Sequence, residues 1–194
     1  MKLGHNPILE CLPVGMLQTN CYLLADAVHR QAVVIDPGGN SRQIAARIQE
    51  QKLDLAAILN THAHFDHIMD AWSLQELAGG EIYLHPREQA VLQDRTVGLS
   101  AVGVALPGTA ERKINKWLQE GDLLVFGSMH FLVLETPGHS PGHVAFHCPE
   151  EALIFVGDAL FAGSIGRTDF LGGSYEQLIS SVREKIFSLD GKTV

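Results

Sequence analysis

Residues 61–67 read THAHFDH, so three imidazoles and a carboxylate fall directly after the short apolar segment 55–59. In an extended segment alternate side chains point to the same side, and His62, His64 and Asp66 are therefore predicted to converge, while His67 starts the next helix and points elsewhere. These groups suit zinc, iron or manganese. Four of them exceed what one catalytic ion takes from a single segment, because such an ion keeps an open position for water, so the pattern predicts two metal ions. A solvated loop rich in histidine is the alternative.

Two further apolar segments lead to residues of the same kind. Residues 131–134 are followed by a Thr-Pro-Gly turn and His139, and residues 153–156 are followed by a glycine and Asp158. Each pattern alone is typical of a turn. Together with residues 61–67 they supply further ligands for two ions, and the two carboxylate oxygens of Asp158 suit it to bridge them.

Short apolar segments separated by turn formers predict a chain rich in β-strands. The predicted strands are residues 8–14, 20–25, 32–35, 55–59, 81–84, 123–126, 131–134, 143–146 and 153–156. Helices are predicted over 41–51, with Ser41 as the cap, over 68–78, from Pro86 onward and over 174–189. Residues 94–113 are predicted to form a long loop or partly helical excursion that contacts substrate. Strands outnumber helices in each half, which favours a single α+β domain over residues 1–194, with two packed sheets covered by helices.

Composition narrows the class of function. The formal charge is −8, and no cluster of Lys and Arg offsets it, so nucleic acid is not an expected partner. Cys11, Cys21 and Cys148 are widely spaced, which predicts free thiols. The sequence shows no apolar region of a signal peptide and no segment near the ~20 apolar residues that span a bilayer. A cytoplasmic protein without a membrane partner is therefore expected.

The order and spacing of these motifs resemble the metallo-β-lactamase superfamily: H-x-H-x-D-H at 62–67, T-P-G-H at 136–139, G-D at 157–158 and D-P-G at 36–38. The strings GDALF at 157–161 and GRTDF at 166–170 resemble its glyoxalase II-like branch, the hydroxyacylglutathione hydrolase-like metallo-hydrolases. The likeness runs from the first strands to the last helix. It implies an α+β fold of the αβ/βα four-layer sandwich type, with the metals at one edge.

The resemblance also implies two ions, with zinc the expected metal and iron or manganese possible alternatives. One ion would be held by His62, His64 and His139 and the other by Asp66 and His67, with Asp158 between them. Family members usually add a final histidine to the second ion, in a Gly-His-Gly-Pro run after the last helix. The sequence here stops before such a run, so the expectation is either a shortened form or fragment, or a second ion held with one protein ligand fewer.

Other residues near these motifs receive weaker expectations. The family places the loop after the bridging aspartate near the metals, so Arg167 is a candidate substrate-binding residue, although an Arg167–Asp169 pair that only fixes the loop is equally consistent. Asp36 is expected to close a turn and to form hydrogen bonds near the metal-ligand loop. For His143 a strand histidine with satisfied hydrogen bonds is the favoured expectation, and a place beside the metal ligands is the alternative.

The function that the resemblance implies is hydrolysis of a small thioester, such as an acyl-glutathione, by a metal-bound hydroxide that Asp66 would orient. One alternative is a persulfide dioxygenase, because such enzymes share a G-R-T-D-F run and use one iron, held here by His62, His139 and Asp158. The other is a non-catalytic metal-binding protein. The lack of a signal peptide argues against a β-lactamase, and the lack of a basic surface argues against RNA processing.

Overall fold

The computed structural model describes residues 7–93 and 112–194. The larger of its sheets has six strands in the order β1-β2-β3-β4-β5-β6. They are Ile8–Val14 (β1), Thr19–Asp26 (β2), Gln31–Ile35 (β3), Asp54–Leu59 (β4), Glu81–Leu84 (β5) and Lys116–Trp117 (β6). Strands β1 to β3 pair antiparallel, and β3 to β6 run parallel. The carboxyl ends of β3 and β4 therefore meet at one edge, which places Asp36 beside the segment that begins at Asn60.

The second sheet has four antiparallel strands in the order β10-β9-β8-β7. They are Leu123–Phe126 (β7), Met129–Glu135 (β8), Val144–Cys148 (β9) and Leu153–Phe155 (β10). A small hairpin of Leu160–Phe161 (β11) and Ser164–Ile165 (β12) follows. The two larger sheets are joined at the edge that carries the histidines, because the Val144 N–H donates to the Thr61 carbonyl at 2.9 Å.

Five α-helices lie in the described parts of the chain. They are Ser41–Glu50 (α1), Phe65–Ile68 (α2), Ala71–Ala78 (α3), Gln89–Gln93 (α4) and Tyr175–Ser181 (α5). Helix α4 is preceded by a 3₁₀ turn, Pro86–Glu88, and α5 continues into a π-helical turn, Val182–Ile186. The helix predicted from Pro86 thus begins as a 3₁₀ turn, and the one predicted over 174–189 is capped by Ser174, whose side chain accepts from the Gln177 N–H at 3.3 Å.

The elements pack in four layers. Apolar side chains of both sheets, among them Val33, Ile35, Phe131 and Phe146, form a fully buried core between the sheets. A second core covers the outer face of the first sheet, where Ile44 of α1 and the neighbouring helix α3 pack. Burial of each such large side chain stabilises the fold by about 1.5–3 kcal/mol relative to exposure.

The outer face of the second sheet is covered by the C-terminal helix. Leu178, Val182 and Ile186 pack there against Ile154 and Val156. The order of layers is therefore helices, sheet, sheet and helix. This confirms the predicted α+β sandwich, whereas the single-domain assignment stays a prediction.

Two helix boundaries differ from the prediction. Ser41 is not the cap of α1: that position belongs to Asn40, in the left-handed conformation with φ 60°, and the Ser41 N–H is bound by the Asp70 carboxylate at 2.8 Å. The helix predicted over 68–78 is split into α2 and α3, because Asp70 leaves helical geometry and its N–H donates to the Pro37 carbonyl at 3.1 Å. Both differences arise from tertiary contacts between the turn at 36–40 and Asp70.

Residues 94–111, most of the segment predicted to contact substrate, lie outside the described residues. Within residues 7–93 and 112–194, no helix has the length and apolar character needed to cross a bilayer.

Candidate metal centre

His62 follows the carboxyl end of β4 and is fully buried. One of its ring nitrogens forms a hydrogen bond, and the other has no partner among the described residues. The Thr61 hydroxyl donates to Asp36 Oδ2 at 2.7 Å, so at 3.0 Å it accepts from His62 Nδ1–H. This tautomer leaves the lone pair on Nε2, and among the described residues Nε2 has no hydrogen-bond partner. A buried nitrogen lone pair without a partner is costly unless an ion or a donor occupies the space it faces. The arrangement fits a metal ligand.

His139, after β8, is oriented in the same way. Its Nδ1–H donates to the Arg167 carbonyl at 2.7 Å, and its Nε2 lies 2.8 Å from Nδ1 of His64. The ligand nitrogens of His62, His64 and His139 all lie within 4.8 Å of one another. Histidines fixed by a hydrogen bond through the second ring nitrogen are typical of metal ligands. The structure thus brings His139 to two imidazoles from which the sequence separates it by more than seventy positions.

A second group consists of His62, His67 and Asp158, whose ligand atoms also lie within 4.8 Å of one another. His67 Nδ1–H donates to Asp36 Oδ2 at 2.9 Å, and its Nε2 lies 3.2 Å from Asp158 Oδ1. Asp36 therefore fixes both Thr61 and His67, which confirms the prediction that it forms hydrogen bonds near the metal-ligand loop. Imidazole and carboxylate groups fit the same borderline divalent ions as the first group.

Asp158 belongs to the second group and also faces the first. Its Oδ1 faces His67 Nε2 at 3.2 Å, while its Oδ2 faces His139 Nε2 at 3.4 Å. Although burial opposes ionisation, the neighbouring His67 lowers the pKa of Asp158 to about 2. The side chain is consequently an ionised carboxylate at neutral pH, with one oxygen directed at each group.

Asp66 does not lie beside His62 and His64, contrary to the alternation predicted for an extended segment. Helix α2 begins at Phe65, so the backbone is no longer extended when it reaches Asp66. Its Oδ2 lies 3.5 Å from His67 Nε2 and accepts from the Thr19 hydroxyl at 2.9 Å. Asp66 thus joins the His67 side of the centre.

The protonation of the histidines divides the centre in two. Burial lowers the pKa of His62 and of His139, and it lowers that of His64 to about 3. These three rings are neutral at pH 7 and can offer a lone pair. His67 is the exception: burial would lower its pKa, but the flanking Asp36 and Asp158 carboxylates raise it well above the ordinary value.

Arg167 lies at the rim of the centre. Its guanidinium is exposed and forms two hydrogen bonds with Asp169, at 2.9 and 2.8 Å, above the Phe170 ring. Phe170 in turn contacts the imidazole of His64, with 4.8 Å between ring centroids. Residues 167–170 therefore form one side of the centre, and Asp169 holds the Arg167 side chain at its rim.

Three groups beyond the predicted ligands hold the ligands in place. His143, for which the sequence favoured a strand histidine with satisfied hydrogen bonds over a place beside the ligands, is fully buried; its Nδ1–H donates to the Thr136 hydroxyl at 2.8 Å, and its Nε2 accepts from the Asp158 N–H at 3.2 Å. Glu88 accepts from the backbone between His62 and His64. Thr136 belongs to the T-P-G-H motif and His143 follows His139 by four residues, whereas no motif in the sequence marks Glu88.

A cavity of about 450 Å³ opens beside the second group. Asp66, His67 and Asp158 form its polar wall, and Leu17 and Phe161 are among its apolar lining. A small molecule can therefore reach the carboxylates of the centre.

Comparison with known proteins agrees with this geometry. Residues 14–194 match the metallo-β-lactamase superfamily. The chain is 39% identical over 189 residues to hydroxyacylglutathione hydrolase GloC of Haemophilus influenzae, which covers 94% of this chain and 85% of that relative.

Two solved structures share the fold over most of their length. The BLEG-1 B3 metallo-β-lactamase has a TM-score of 0.88 and 37% identity, covering 96% of this chain and 88% of its own. TTHA1623, solved in a di-iron-bound form, has a TM-score of 0.81 and 38% identity, covering 93% and 87%. Motifs, fold and sequence identity agree, and the chain belongs to the metallo-β-lactamase superfamily of metal-binding hydrolases.

Proposed function

We propose that this protein is a two-metal hydrolase that cleaves a thioester, with an acyl-glutathione as the substrate class. The observation that carries the proposal is the position of Asp158, whose two oxygens face Nε2 atoms of histidines from two different ligand groups. A single-ion site requires no such shared carboxylate. A pair of ions roughly 3.5–4 Å apart is the arrangement that many metallo-hydrolases use.

The proposed ligand sets build on the two groups, with His62 assigned to the first ion and Asp66, which lies 3.5 Å from His67 Nε2, added on the side of His67. His62, His64 and His139 would hold the first ion, Asp66 and His67 would hold the second, and Asp158 would lie between them. When bound, such ions act as Lewis acids and lower the pKa of water from ~15.7 to about 7, so that a nucleophile exists at neutral pH. Zinc is the proposed metal, with iron or manganese as possible substitutes.

Side chains of this protein keep the ligands neutral and orient the attacking water. His62, His64 and His139 are kept neutral by burial, so that their lone pairs face the centre without competition from protons. Asp66 faces the cavity, where its carboxylate can orient the attacking water. A thioester needs little help from a general acid, because a thiol with a pKa of ~8.5 leaves readily as the thiolate.

The thioester assignment is supported by the name of the Haemophilus influenzae relative, a hydroxyacylglutathione hydrolase. The di-iron form of TTHA1623 supports two ions rather than one.

The experiment pairs metal analysis with turnover. The protein is purified without added metal, its zinc, iron and manganese are counted, and hydrolysis of a hydroxyacyl-glutathione is followed before and after chelation and reloading. We expect up to two ions per chain and turnover that is lost on chelation and restored by metal. A loaded protein without thioesterase activity would refute the substrate class, and an active protein indifferent to chelation would refute the metal mechanism.

β-Lactam hydrolysis is the second candidate, because one structure with 37% identity is a B3 metallo-β-lactamase. A chromogenic cephalosporin in the same assay tests it, and we expect turnover far below that of the thioester.

The metal count also distinguishes the dioxygenase alternative from the hydrolase, since a dioxygenase requires one iron per chain and oxygen uptake with a persulfide.

A further inference from the structure

Glu88 is a fully buried carboxylate in the 3₁₀ turn that follows β5. Its Oε2 accepts a hydrogen bond from the Ala63 N–H at 2.8 Å, and its Oε1 accepts one from the Gly142 N–H at 2.7 Å. Burial raises the pKa of Glu88, and these two backbone donors oppose that rise. A carboxylate placed inside a protein at such a cost is retained where both oxygens have fixed partners.

The two donors belong to the two loops that carry the imidazoles of the first ligand group. Ala63 separates His62 from His64 in the loop after β4, which leaves the first sheet. Gly142 lies three residues after His139, in the loop between β8 and β9 of the second sheet. The Glu88 side chain therefore spans the two sheets and sets the separation of loops whose histidines must converge on one point.

The backbone around Gly142 is built to admit the turn that carries Glu88. A Cβ atom at Gly142 would lie 2.6 Å from His85 Nδ1 and 3.0 Å from the Glu88 backbone nitrogen. The first distance is shorter than real Cβ contacts and the second is tight, so a side chain at Gly142 would force the turn to shift. The Gly142 backbone thus fits closely against the turn that carries Glu88.

We infer that Glu88 is a positioning residue for the first metal ion, which it serves by holding the His62–His64 loop and the His139 loop at ligand distance. The inference rests on the proposed ligand set of His62, His64 and His139. The hydrogen bonds of Glu88 shown here go to backbone N–H groups of the two loops and not to the imidazoles. Its effect is therefore on the affinity of the site for metal, before any effect on turnover.

The test substitutes Glu88→Gln, which keeps the shape of the side chain but turns one acceptor into an amide donor that faces a backbone N–H. Metal-free protein is titrated with Zn²⁺ in competition with a chromophoric chelator, with circular dichroism as the check on folding. Loss of a group that orients metal ligands weakens affinity by about 10–100-fold, which is the expected result. Glu88→Asp keeps both carboxylate oxygens on a shorter side chain and should recover part of the affinity.

Asp26 offers a matched control. It is also a buried carboxylate, accepts from the Val28, His29 and Ser128 N–H groups, and joins two hairpins, but it lies at the opposite end of β3 from Asp36. Asp26→Asn should lower the melting temperature of the metal-free protein and leave Zn²⁺ affinity unchanged.

Each outcome decides the inference. Wild-type affinity in Glu88→Gln, or an equal loss of affinity in Asp26→Asn, would overturn it. If Glu88→Gln does not fold, the Glu88→Asp protein decides, and wild-type affinity there would overturn it. A wild-type protein that binds no Zn²⁺ would instead refute the ligand set, and the inference with it.

Discussion

Asp158 presents one carboxylate oxygen to His67 and the other to His139, at 3.2 and 3.4 Å. We predict that Asp158→Ala abolishes thioester turnover and leaves the fold largely intact. Its loss removes a carboxylate that faces both groups, so that two cations would repel each other at close range with less compensation. Turnover, metal content and circular dichroism of the variant check this.

Asp54→Ala is the control for that variant, because Asp54 is an exposed carboxylate at the opposite end of β4. It should retain normal turnover and metal content. An Asp158→Ala protein with two ions and near-normal turnover would show that the bridging role is wrong.

The raised pKa of His67 predicts that metal binding there releases a proton. The Asp36 and Asp158 carboxylates raise its pKa well above the ordinary value, so the metal-free protein holds a proton there at neutral pH. An ion that binds His67 must displace that proton, and binding should therefore weaken as the pH falls and strengthen as it rises through the raised pKa. Calorimetric titration with Zn²⁺ in two buffers of different ionisation enthalpy counts the protons released.

We expect about one proton to be released per chain on loading of the His67 group. The same titration of Asp36→Asn is the comparison, because the variant loses a carboxylate that raises the pKa of His67. Equal proton release by the two proteins, or none by the wild type, would contradict the assignment of the raised pKa to these carboxylates.

At the scale of elements, the turn after β3 determines where α2 lies. A Cβ atom at Gly38 would fall 1.5 Å from the Asp66 carbonyl oxygen, so the turn and α2 touch through backbone alone. We predict that Gly38→Ala displaces α2 and lowers the free energy of unfolding by roughly 1–3 kcal/mol, the usual cost of overpacking. It should also weaken metal binding by His67, and denaturant unfolding with Zn²⁺ titration measures both effects.

Gly191→Ala is the control for this substitution, because a Cβ atom at Gly191 meets nothing within 4 Å. Its stability should stay within about 0.5 kcal/mol of the wild type. If Gly38→Ala were equally neutral, the contact between the turn and α2 would not be the feature that places His67.

The elements also show what can be predicted from sequence. The strands were predictable because their apolar periodicity is local, and the clustering of His62, His64 and His67 was predictable because one short segment carries them. The prediction of Ser41 as the cap of α1 was wrong, because the Asp70 carboxylate, from a distant segment, accepts a hydrogen bond from the Ser41 N–H. Glu88 was missed for the same reason: a glutamate is usually exposed, and only the packing of three separate loops buries this one.

At the scale of the whole molecule, the candidate ligands come from both sheets. His62, His64, Asp66 and His67 follow strand β4 of the first sheet, whereas His139 and Asp158 follow strands β8 and β10 of the second. Bound ions would therefore join the two halves of the sandwich across its edge. Since the unfolded chain does not bring these residues together, metal binds the folded state preferentially and should stabilise it.

The last prediction is that added Zn²⁺ raises the melting temperature of the metal-free protein. At a free concentration of 100 times Kd, preferential binding adds about 2.7 kcal/mol to the free energy of unfolding. For a chain of this size such a gain shifts the midpoint by roughly 5–10 °C. Thermal denaturation across a Zn²⁺ series measures the shift, and Mg²⁺ at equal ionic strength is the control, because a histidine-rich site does not suit it. Asp158→Ala should show a smaller shift than the wild type, since one ligand from the second sheet is gone. A melting temperature that Zn²⁺ leaves unchanged, or that Mg²⁺ raises equally, would mean that the candidate ligands do not join the sheets through metal.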